Sequence, residues 1–363
     1  MTTKIVSIDP DSPAEDLIRQ AAQILKKGGL VIIPTETVYG IAADSSNEKA
    51  ITRLSEIKGR SADKPFSLHI AEKEKIEEFA GDIPVNAYKL IDKFWPGPLT
   101  LVLKTKDSIR SAKGEPGKGT IGIRMPDNEV ALQIISLSGV NVVCPSANLF
   151  GKPAPASLQE AIKDLNGKVD FAIDAGKTRL GLESSVVDIT GEHPVILREG
   201  AIKKEEIEAV TNKKIVLFVC TGNSCRSVMA KAYMEKRLKE KDRRDVIILS
   251  AGILGLNNMG PTAETRQVLQ KEGIDVNNHR SSKVNAEMVK KSDIILVMER
   301  IHEERILELA PQAKTRVFLL KEFAKIEGDG STSIADPIGN SLEFYERTFK
   351  IIKEAVNRAV EII

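Results

Sequence analysis

The sequence has few cysteines, no long apolar run and almost no net charge. Three cysteines in 363 residues are too few, and odd in number, for a disulfide framework, which favours a reducing compartment such as the cytoplasm. No stretch approaches the roughly 20 apolar residues that a membrane span needs, and the first residues lack the apolar region of a signal peptide. A net charge of +2 argues against a general polyanion-binding protein. We therefore expect a cytoplasmic location, with no membrane or DNA partner.

Length and composition indicate two folded domains. A chain of 363 residues exceeds what one hydrophobic core usually serves, while 42% apolar and 29% charged residues argue against disorder. Residues 1–205 alternate between helix and strand patterns and predict a mixed α/β domain. Residues 206–214 are expected to form a short charged linker. Residues 215–363 repeat strand, turn and helix in the manner of a doubly wound parallel sheet.

The first helix has clear start and stop signals. Ser12, Pro13 and Glu15 fit the N-cap, N1 and N3 positions, a pattern that satisfies free amides at a helix N-terminus. Gly28 and Gly29 follow the apolar stripe and end it. The sequence therefore predicts a helix that begins at Pro13, directly after a capping serine.

In the second half, a cysteine ends the first strand and an arginine follows six residues later, at the start of a helix. Between Cys220 and Arg226, Gly222 and small polar residues allow backbone amides to turn around an oxyanion at the helix N-terminus. The same field favours a nucleophilic thiolate, and a planar guanidinium suits phosphate oxygens. Asp336, held before Pro337, is the candidate proton donor for the leaving group. This pattern predicts phosphate-ester hydrolysis through a phosphocysteine.

These residues resemble those of the low-molecular-weight protein tyrosine phosphatase family, from Ile215 to the end of the chain. The match includes the Cys-x5-Arg loop, the Ser-Ala-Gly strand end at residues 250–252 and the Asp-Pro loop. The resemblance implies a nucleophile at Cys220, a phosphate-binding arginine at Arg226 and a general acid at Asp336, with no tightly bound cofactor. The implied phosphate loop further comprises Thr221, Gly222, Asn223, Ser224, Cys225 and Ser227.

Two phosphorylated side chains are candidate substrates for this half. Ser224 stands before the second loop cysteine and Ile338-Gly339 follow the Asp-Pro pair, as in the bacterial protein arginine phosphatase branch. We therefore favour phosphoarginine on a protein, with phosphotyrosine and a regulatory anion sensor as alternatives. No cysteine follows Cys225, which argues against arsenate reduction. Cys225 either forms a disulfide with Cys220 under oxidation or simply packs.

Residues 1–205 contain no metal-ligand cluster, catalytic triad or dinucleotide-binding fingerprint. The cations that stand beside turn residues are Lys58, Arg60, Arg124 and Arg198. Residues at the strand ends of an α/β sheet converge on one crevice, so we expect these cations to share a pocket for phosphates or a carboxylate.

Residues 1–205 resemble the YrdC-like L-threonylcarbamoyladenylate synthase family, which implies a mixed, twisted-sheet α/β fold. The match consists of PTETVYG at 34–40, Lys58-Gly59-Arg60, Ser146-Ala147-Asn148 and ILREGAI at 196–202. The family condenses L-threonine, bicarbonate and ATP into threonylcarbamoyl-AMP and pyrophosphate, with Mg²⁺. The product serves a tRNA modification, whose later enzymes are candidate partners.

The resemblance implies two groups of ligand-binding residues. Threonine would be bound by Thr35, Arg60, His69, Arg124 and Ser184. ATP would be bound by Lys58, Thr120, Ser146, Asn148 and Arg198. No covalent nucleophile is needed, because cations and Mg²⁺ screen two anions that react directly. The alternative is a nucleic-acid-binding module without synthase activity, against which the small acidic excess of this half argues.

Overall fold

The computed structural model describes residues 2–59, 66–106, 119–256, 258–326 and 331–363. The chain divides into two compact units, Met1–Thr211 and Asn212–Ile363. Residues 206–214, expected to be a linker, comprise the end of a helix, two connecting residues and the start of a strand. Arg60 lies outside the described residues.

Over its described residues, the first unit has a ten-stranded mixed sheet. Its strands are β1 (Lys4–Ser7), β2 (Val31–Ile33), β3 (Gly40–Asp44), β4 (Leu68–His69), β5 (Leu99–Lys104), β6 (Thr120–Arg124), β7 (Val142–Val143), β8 (Phe171–Asp174), β9 (Ser185–Asp188) and β10 (Val195–Arg198). Their order is β1-β8-β2-β3-β7-β4-β6-β5-β9-β10. β2 pairs in parallel with β8 and antiparallel with β3. Because several neighbouring strands, such as β3 and β7, are distant in sequence, remote segments reach adjacent strand ends.

Helices cover both faces of this sheet. They are α1 (Glu15–Lys26), α2 (Glu48–Ile57), α3 (Ile76–Phe79), α4 (Val85–Phe94), α5 (Glu129–Ser138), α6 (Leu158–Leu165) and α7 (Lys204–Thr211), with a 3-10 turn at Lys73–Lys75. Val31 and Ile33 pack in the core of α1 and α5, whereas Ile32 packs in the core of α2 and α6. A strand buried on both faces has a continuous apolar run, as the sequence shows here.

Helix α1 begins at Glu15, two residues later than predicted. Its N-cap is Ala14, which has an extended backbone and makes no side-chain capping bond. The predicted N-cap at Ser12 and N1 position at Pro13 are therefore wrong. The carbonyl of Ala14 accepts from the amides of Leu17 and Ile18, over 3.1 and 3.2 Å, and acidic residues in the first turn complement the helix dipole.

The described part of the second unit has a four-stranded parallel sheet with the order β12-β11-β13-β14. The strands are β11 (Lys214–Cys220), β12 (Val246–Gly252), β13 (Ile294–Val297) and β14 (Val317–Leu319). Val216 and Phe218 pack on one face and Leu217 and Val219 on the other. The sheet is therefore covered on both sides, and the predicted fold class is confirmed for both units.

The helices of this unit connect the parallel strands or follow the last of them. They are α8 (Arg226–Glu240), α9 (Ala263–Gln270), α10 (Ala286–Lys291), α11 (Arg300–Leu309), α12 (Leu320–Phe323) and α13 (Leu342–Ile362), with a 3-10 turn at Pro311–Arg316. Residues 221–225 form a tight loop between β11 and α8. Among the helices that the structure describes, none combines the length and the apolar character needed to cross a membrane.

Candidate active sites

The strand ends of the first unit enclose a cavity of about 240 Å³. Seven of the residues predicted to bind threonine or ATP line it: Thr35, Lys58, His69, Arg124, Ser146, Ser184 and Arg198. Asn148 contacts this group through Lys58. Thr120 is exposed at the start of β6 and is not among the lining residues that the structure describes.

Arg124 is a buried cation whose orientation is fixed by residues that the sequence analysis did not single out. Its Nη2 donates to Glu36 Oε1 over 2.7 Å and to Thr37 Oγ1 over 2.8 Å. Thr37 Oγ1 lies 2.8 Å from Thr35 Oγ1, which donates to Val38 O. The loop at 34–40 thus neutralises and holds the arginine. A buried arginine needs a carboxylate partner. The acidic residue inside the PTETVYG motif was therefore the feature of the sequence that could have pointed to Glu36.

His69 is buried in the same cavity and has one unused ring nitrogen. Its Nδ1 lies 3.3 Å from Ser67 O, while Nε2 has no hydrogen-bond partner among the described residues. Burial, together with the charge of Arg124, lowers the pKa of His69 to about 3. The ring is therefore neutral, Nδ1–H donates to the carbonyl, and Nε2 can accept a hydrogen bond from a ligand.

Lys58 connects the two halves of the predicted Lys-x-Arg and Ser-x-Asn signature. Its Nζ donates to Ser146 O, Asn148 O and Asn148 Oδ1, each over 2.8 Å. The ammonium group thereby fixes the loop after β7 against the end of α2. Lys58 and Ser146 both line the cavity, so this fixed charge faces the space that a ligand can enter.

Arg198 holds the segment that precedes β9, which lines another part of the cavity. Its guanidinium donates to Ser184 O over 3.0 Å, to Ser184 Oγ over 3.2 Å and to Glu183 Oε1 over 2.8 Å. Ser184 Oγ also lies 2.9 Å from Thr100 Oγ1. Three cations and several hydroxyls therefore converge on one cavity, an arrangement suited to a nucleotide phosphate and an amino-acid carboxylate.

Two glycines let backbone segments approach this cavity closely. A Cβ on Gly40 would lie 2.3 Å from Cys144 Sγ, and one on Gly200 would lie 2.3 Å from Glu183 O. Burial raises the pKa of Cys144 to about 12, so this cysteine packs as a neutral thiol. A larger residue at Gly40 or Gly200 would therefore force these backbone segments apart.

In the second unit, the loop after β11 holds the sulfur of Cys220 among hydrogen-bond donors. Asn223 N lies 3.3 Å and Ser227 Oγ 3.0 Å from Sγ. Asn223 has a φ of 53° and its Nδ2 donates to Ser227 Oγ and Ser250 Oγ, each over 3.0 Å. These groups surround the sulfur at the N-terminus of α8, where free backbone amides can also meet the oxygens of a bound phosphate.

Arg226 is almost fully buried at the start of α8 and bridges the loop to two carboxylates. Its Nη1 donates to Glu299 and, over 2.8 Å, to Ile334 O. Its Nη2 donates to Asp336 and, over 3.0 Å, to Thr221 Oγ1. Nε is buried and has no partner among the described residues. The nucleophile, the arginine and the predicted acid thus belong to one cluster with a spare donor for an anion.

The close approach of the phosphate loop explains why glycine stands at the end of the Ser-Ala-Gly segment, at position 252. A Cβ at this position would lie 2.8 Å from Thr221 O and 2.9 Å from Asn223 N. The carbonyl of Thr221 also accepts from Leu254 N over 3.0 Å. The phosphate loop therefore rests directly on the end of β12, and only glycine leaves room for it.

The remaining loop residues have packing contacts. Cys225 is buried, and its Sγ lies 3.5 Å from the hydroxyl of Tyr345 and 3.7 Å from Thr262 Oγ1. Ser224 is half-buried, with its Oγ 3.6 Å from the sulfur of Cys225. A Cβ on Gly222 would be in ordinary contact with Leu256. These contacts support the packing role of Cys225, and its disulfide with Cys220 stays a prediction.

Comparison with known proteins identifies the family of the first unit. The family model Sua5/yciO/yrdC, with the description telomere recombination, matches residues 23–200. A putative threonylcarbamoyl-AMP synthase of Methanocaldococcus jannaschii is 38% identical over 199 residues, which cover 53% of this chain and 92% of that protein. The chain belongs to the Sua5/YciO/YrdC family. The resemblance inferred from the first half is therefore confirmed.

Other members of the Sua5/YciO/YrdC family extend beyond the matched region. Threonylcarbamoyl-AMP synthase of Pyrococcus abyssi is 47% identical over 194 residues, which cover 53% of this chain and 56% of the relative. The chain thus spans little more than half the length of this curated relative. The crystal structure of P. abyssi Sua5 complexed with L-threonine matches with a TM-score of 0.54 at 26% identity and covers 98% of both chains.

Residues 215–362 match a second family model, that of low molecular weight phosphotyrosine protein phosphatase. The match begins inside β11 and contains the Cys220 loop, the end of β12 and the Asp336 loop. The resemblance of the second half is confirmed. This member of the Sua5/YciO/YrdC family therefore joins its first unit to a phosphatase-type unit in one chain.

Proposed function

We propose that the first unit synthesises L-threonylcarbamoyladenylate from L-threonine, bicarbonate and ATP, with Mg²⁺. The observation that carries this proposal is the single cavity where Lys58, Arg124 and Arg198 meet the hydroxyls of Thr35, Ser146 and Ser184. Relatives named threonylcarbamoyl-AMP synthase and a relative's complex with L-threonine support the same activity. The product would serve a tRNA modification in the cytoplasm, with later modification enzymes as partners.

The threonine end of the cavity is proposed to lie near Arg124 and His69. Arg124 Nη1 has no partner among the described residues and can donate to the amino-acid carboxylate. The unpartnered Nε2 of His69 can accept from the ammonium or the hydroxyl group. Thr35, Ser184 and Arg60 complete the proposed pocket, although Arg60 lies outside the described residues. A neutral acceptor beside a cation distinguishes the two ends of an amino acid.

The ATP end is proposed to comprise Lys58, Thr120, Ser146, Asn148 and Arg198. Threonylcarbamate is an anion that must attack the anionic α-phosphate, and fixed cations lower this repulsion without a covalent nucleophile. Mg²⁺ bound by the nucleotide would supply further screening of the phosphates. The threonine nitrogen first bonds to the carbon of bicarbonate with loss of water. The carbamate oxygen then bonds to the α-phosphorus, and the bond to the β-phosphate breaks and releases pyrophosphate.

The synthase proposal is tested on the full-length protein by measuring pyrophosphate released from ATP. We expect release that requires both L-threonine and bicarbonate, and a loss of about 10²-fold in Lys58→Met, because the variant loses a charge-assisted contact of ~3 kcal/mol. The matched control is Lys49→Met, at an exposed position of α2. Retention of RNA without any pyrophosphate release contradicts the proposal and favours the nucleic-acid-binding module.

We infer that the second unit is a protein phosphatase that acts through a phosphocysteine. The observation that carries this inference is the loop in which donors converge on the Cys220 sulfur beside the buried Arg226. The thiolate attacks phosphorus and the bond to the leaving group breaks, while Asp336 gives its proton to the leaving atom. Water, which gives a proton back to the Asp336 carboxylate, then attacks the phosphocysteine; the bond between sulfur and phosphorus breaks, and phosphate and the thiolate are released.

We propose phosphoarginine rather than phosphotyrosine as its substrate. Ser224 places a small hydroxyl side chain in the phosphate loop, which gives a guanidinium an acceptor but gives a phenyl ring no apolar surface. The test compares phosphate release from two peptides that differ only in the phosphorylated residue. We expect a higher kcat/KM for phosphoarginine and a reversal of the ratio in Ser224→Ile. A higher kcat/KM for phosphotyrosine overturns the preference, and phosphate binding without turnover favours the anion sensor.

A further inference from the structure

The Thr221 side chain lies between the phosphate-binding arginine and a buried histidine that the proposed mechanism does not use. Thr221 Oγ1 lies 3.0 Å from Arg226 Nη2 and 3.0 Å from His302 Nε2. Thr221 directly follows the nucleophile Cys220, whereas His302 lies in the first turn of α11 and is fully buried. An element far along the sequence thus contacts the side chain of the phosphate loop.

The hydrogen-bond pattern of His302 fixes which ring nitrogen carries the proton. Glu299 N donates to Nδ1 over 3.1 Å, so that Nδ1 is an acceptor. Burial and the nearby guanidinium of Arg226 lower the pKa of His302 to about 4, which leaves the ring neutral. A neutral imidazole that accepts at Nδ1 carries its hydrogen on Nε2. His302 therefore donates to Thr221 Oγ1.

The Thr221 hydroxyl consequently has both of its acceptor positions filled. One hydrogen bond comes from Arg226 and the other from His302, and a hydroxyl oxygen offers two lone pairs. Its own hydrogen has no acceptor within hydrogen-bond distance among the described residues. Arg226 Nη2 also donates to Asp336, so the Thr221 hydroxyl and the proposed acid share one guanidinium nitrogen.

We propose that the Thr221 hydroxyl is a further phosphoryl-binding group and that His302 is the positioning residue that directs its hydrogen toward the bound phosphoryl oxygen. The inference rests on the proposed phosphatase activity of this unit. The contact adds a neutral donor to those of Arg226 and the loop amides. It is preorganised, because two donors already hold the oxygen before the substrate arrives.

The structure also predicts how the contribution of each group depends on the other. Without the Thr221 hydroxyl, His302 Nε2 loses its hydrogen bond to the loop and can no longer influence phosphoryl binding. Without the Nε2 donor, one lone pair of the Thr221 oxygen is left free and the hydroxyl can rotate, so its hydrogen is no longer directed. The two side chains should therefore act as one unit, and their substitutions should not be additive.

The experiment uses the full-length protein and the variants Thr221→Val, Thr221→Ser, His302→Asn and the double variant Thr221→Val/His302→Asn. Valine keeps the shape and removes the hydroxyl, serine restores the hydroxyl, and asparagine keeps an acceptor for Glu299 N while removing Nε2. The measurements are kcat/KM on p-nitrophenyl phosphate, the inhibition constant of inorganic phosphate, and the thermal midpoint.

We expect Thr221→Val to lower kcat/KM by about 10-fold, the size of one lost hydrogen bond of ~1.4 kcal/mol, and to weaken phosphate binding in parallel. Thr221→Ser recovers most of the loss. His302→Asn lowers kcat/KM several-fold, and the double variant loses no more than Thr221→Val. A loss that serine does not recover, or losses that multiply in the double variant, overturns the proposal.

Folding defects and a failure of the proposed function give different results. If His302→Asn lowers the thermal midpoint strongly, the two Thr221 variants still decide the role of the hydroxyl. Phosphate binding is measured separately in Cys220→Ser by ³¹P NMR, with and without Thr221→Val. If the wild type shows no turnover but Thr221→Val still weakens phosphate binding, the phosphatase proposal fails while the hydroxyl contact stands. Equal phosphate binding in both overturns the contact.

Discussion

The two sites differ in how much of the chain builds them. The phosphate loop of the second unit takes its nucleophile, its amides and its arginine from residues 220–226, while the acid Asp336 and the positioning residue His302 come from distant segments. The cavity of the first unit takes residues from segments between Thr35 and Arg198, brought together by strand order. A local site depends on loop geometry, whereas a dispersed site depends on the whole sheet. Their responses to substitution should therefore differ.

The largest effect is expected at the local site. Cys220→Ser removes the thiolate and should lower phosphatase turnover by about 10⁴-fold or more, as loss of a covalent nucleophile does. Pyrophosphate release by the first unit should stay unchanged, because Cys220 belongs to the other unit. Both activities are measured on the same preparation. Phosphate release as fast as in the wild type contradicts the nucleophilic role.

The dispersed site should respond next most strongly at Arg124. Arg124→Lys keeps the charge but loses the planar donors that reach Glu36 and Thr37, at a cost of ~3 kcal/mol or about 10²-fold in synthase activity. Arg179→Lys, at an exposed ion pair of the same unit, is the matched control. Pyrophosphate release and the KM for threonine are measured. Equal activity in the two variants would show that Arg124 does not position the substrate.

Acid should destabilise both units for the same reason. Burial lowers the pKa of His69 to about 3 and that of His302 to about 4, whereas unfolded histidine titrates near ~6.5. As the pH falls from 6.5, the unfolded state binds protons that the folded state does not. The free energy of unfolding therefore decreases, by about 2 kcal/mol per histidine at pH 5.

Urea unfolding at pH 7 and pH 5 checks this expectation. His69→Gln and His302→Gln should each lose less stability between the two pH values than the wild type, because glutamine does not titrate. Synthase and phosphatase activities are followed during unfolding, so that each change in the free energy of unfolding can be assigned to one unit. The same pH dependence in a variant and in the wild type excludes the histidine concerned as the cause.

The smallest of these effects concerns the support beneath the phosphate loop. Gly252→Ala places a methyl group 2.8 Å from Thr221 O, so the loop must shift, and we expect phosphatase activity to fall by about 10-fold (~1.4 kcal/mol). Gly255→Ala is the matched control, since its Cβ would meet only the end of Lys283 at 3.7 Å. Equal kcat/KM in the two variants would show that the loop tolerates displacement.

Sequence reasoning performed best where chemistry is contiguous. The Cys220 loop and the fold class of each half were predicted from the sequence, and the structure shows seven of the predicted ligand residues of the first half lining one cavity. The sequence-based prediction was wrong at the start of helix α1, where Ala14 rather than Ser12 is the N-cap. Local capping preferences of about 1 kcal/mol are easily overridden by the packing of the helix.

The sequence alone did not reveal the partners of the buried cations. Glu36 stands inside a recognisable motif, but only the sheet order brings it to Arg124. Glu299 and His302 lie in an ordinary helix-start segment, and nothing in their spacing connects them to the Cys220 loop. Thr120, predicted to bind ATP, is exposed away from the cavity lining. Its role stays a prediction.

The amino-acid sequence determined the periodicity of the elements, the glycine-containing turns and the residues that can bind anions, because these depend on neighbours within a few positions. The tertiary structure decided which carboxylate neutralises each buried arginine and which histidine contacts the Thr221 hydroxyl. These pairings join residues that are 73 to 88 positions apart. They are selected by the cost of burying an unpaired charge, which exists only once the strands have assembled.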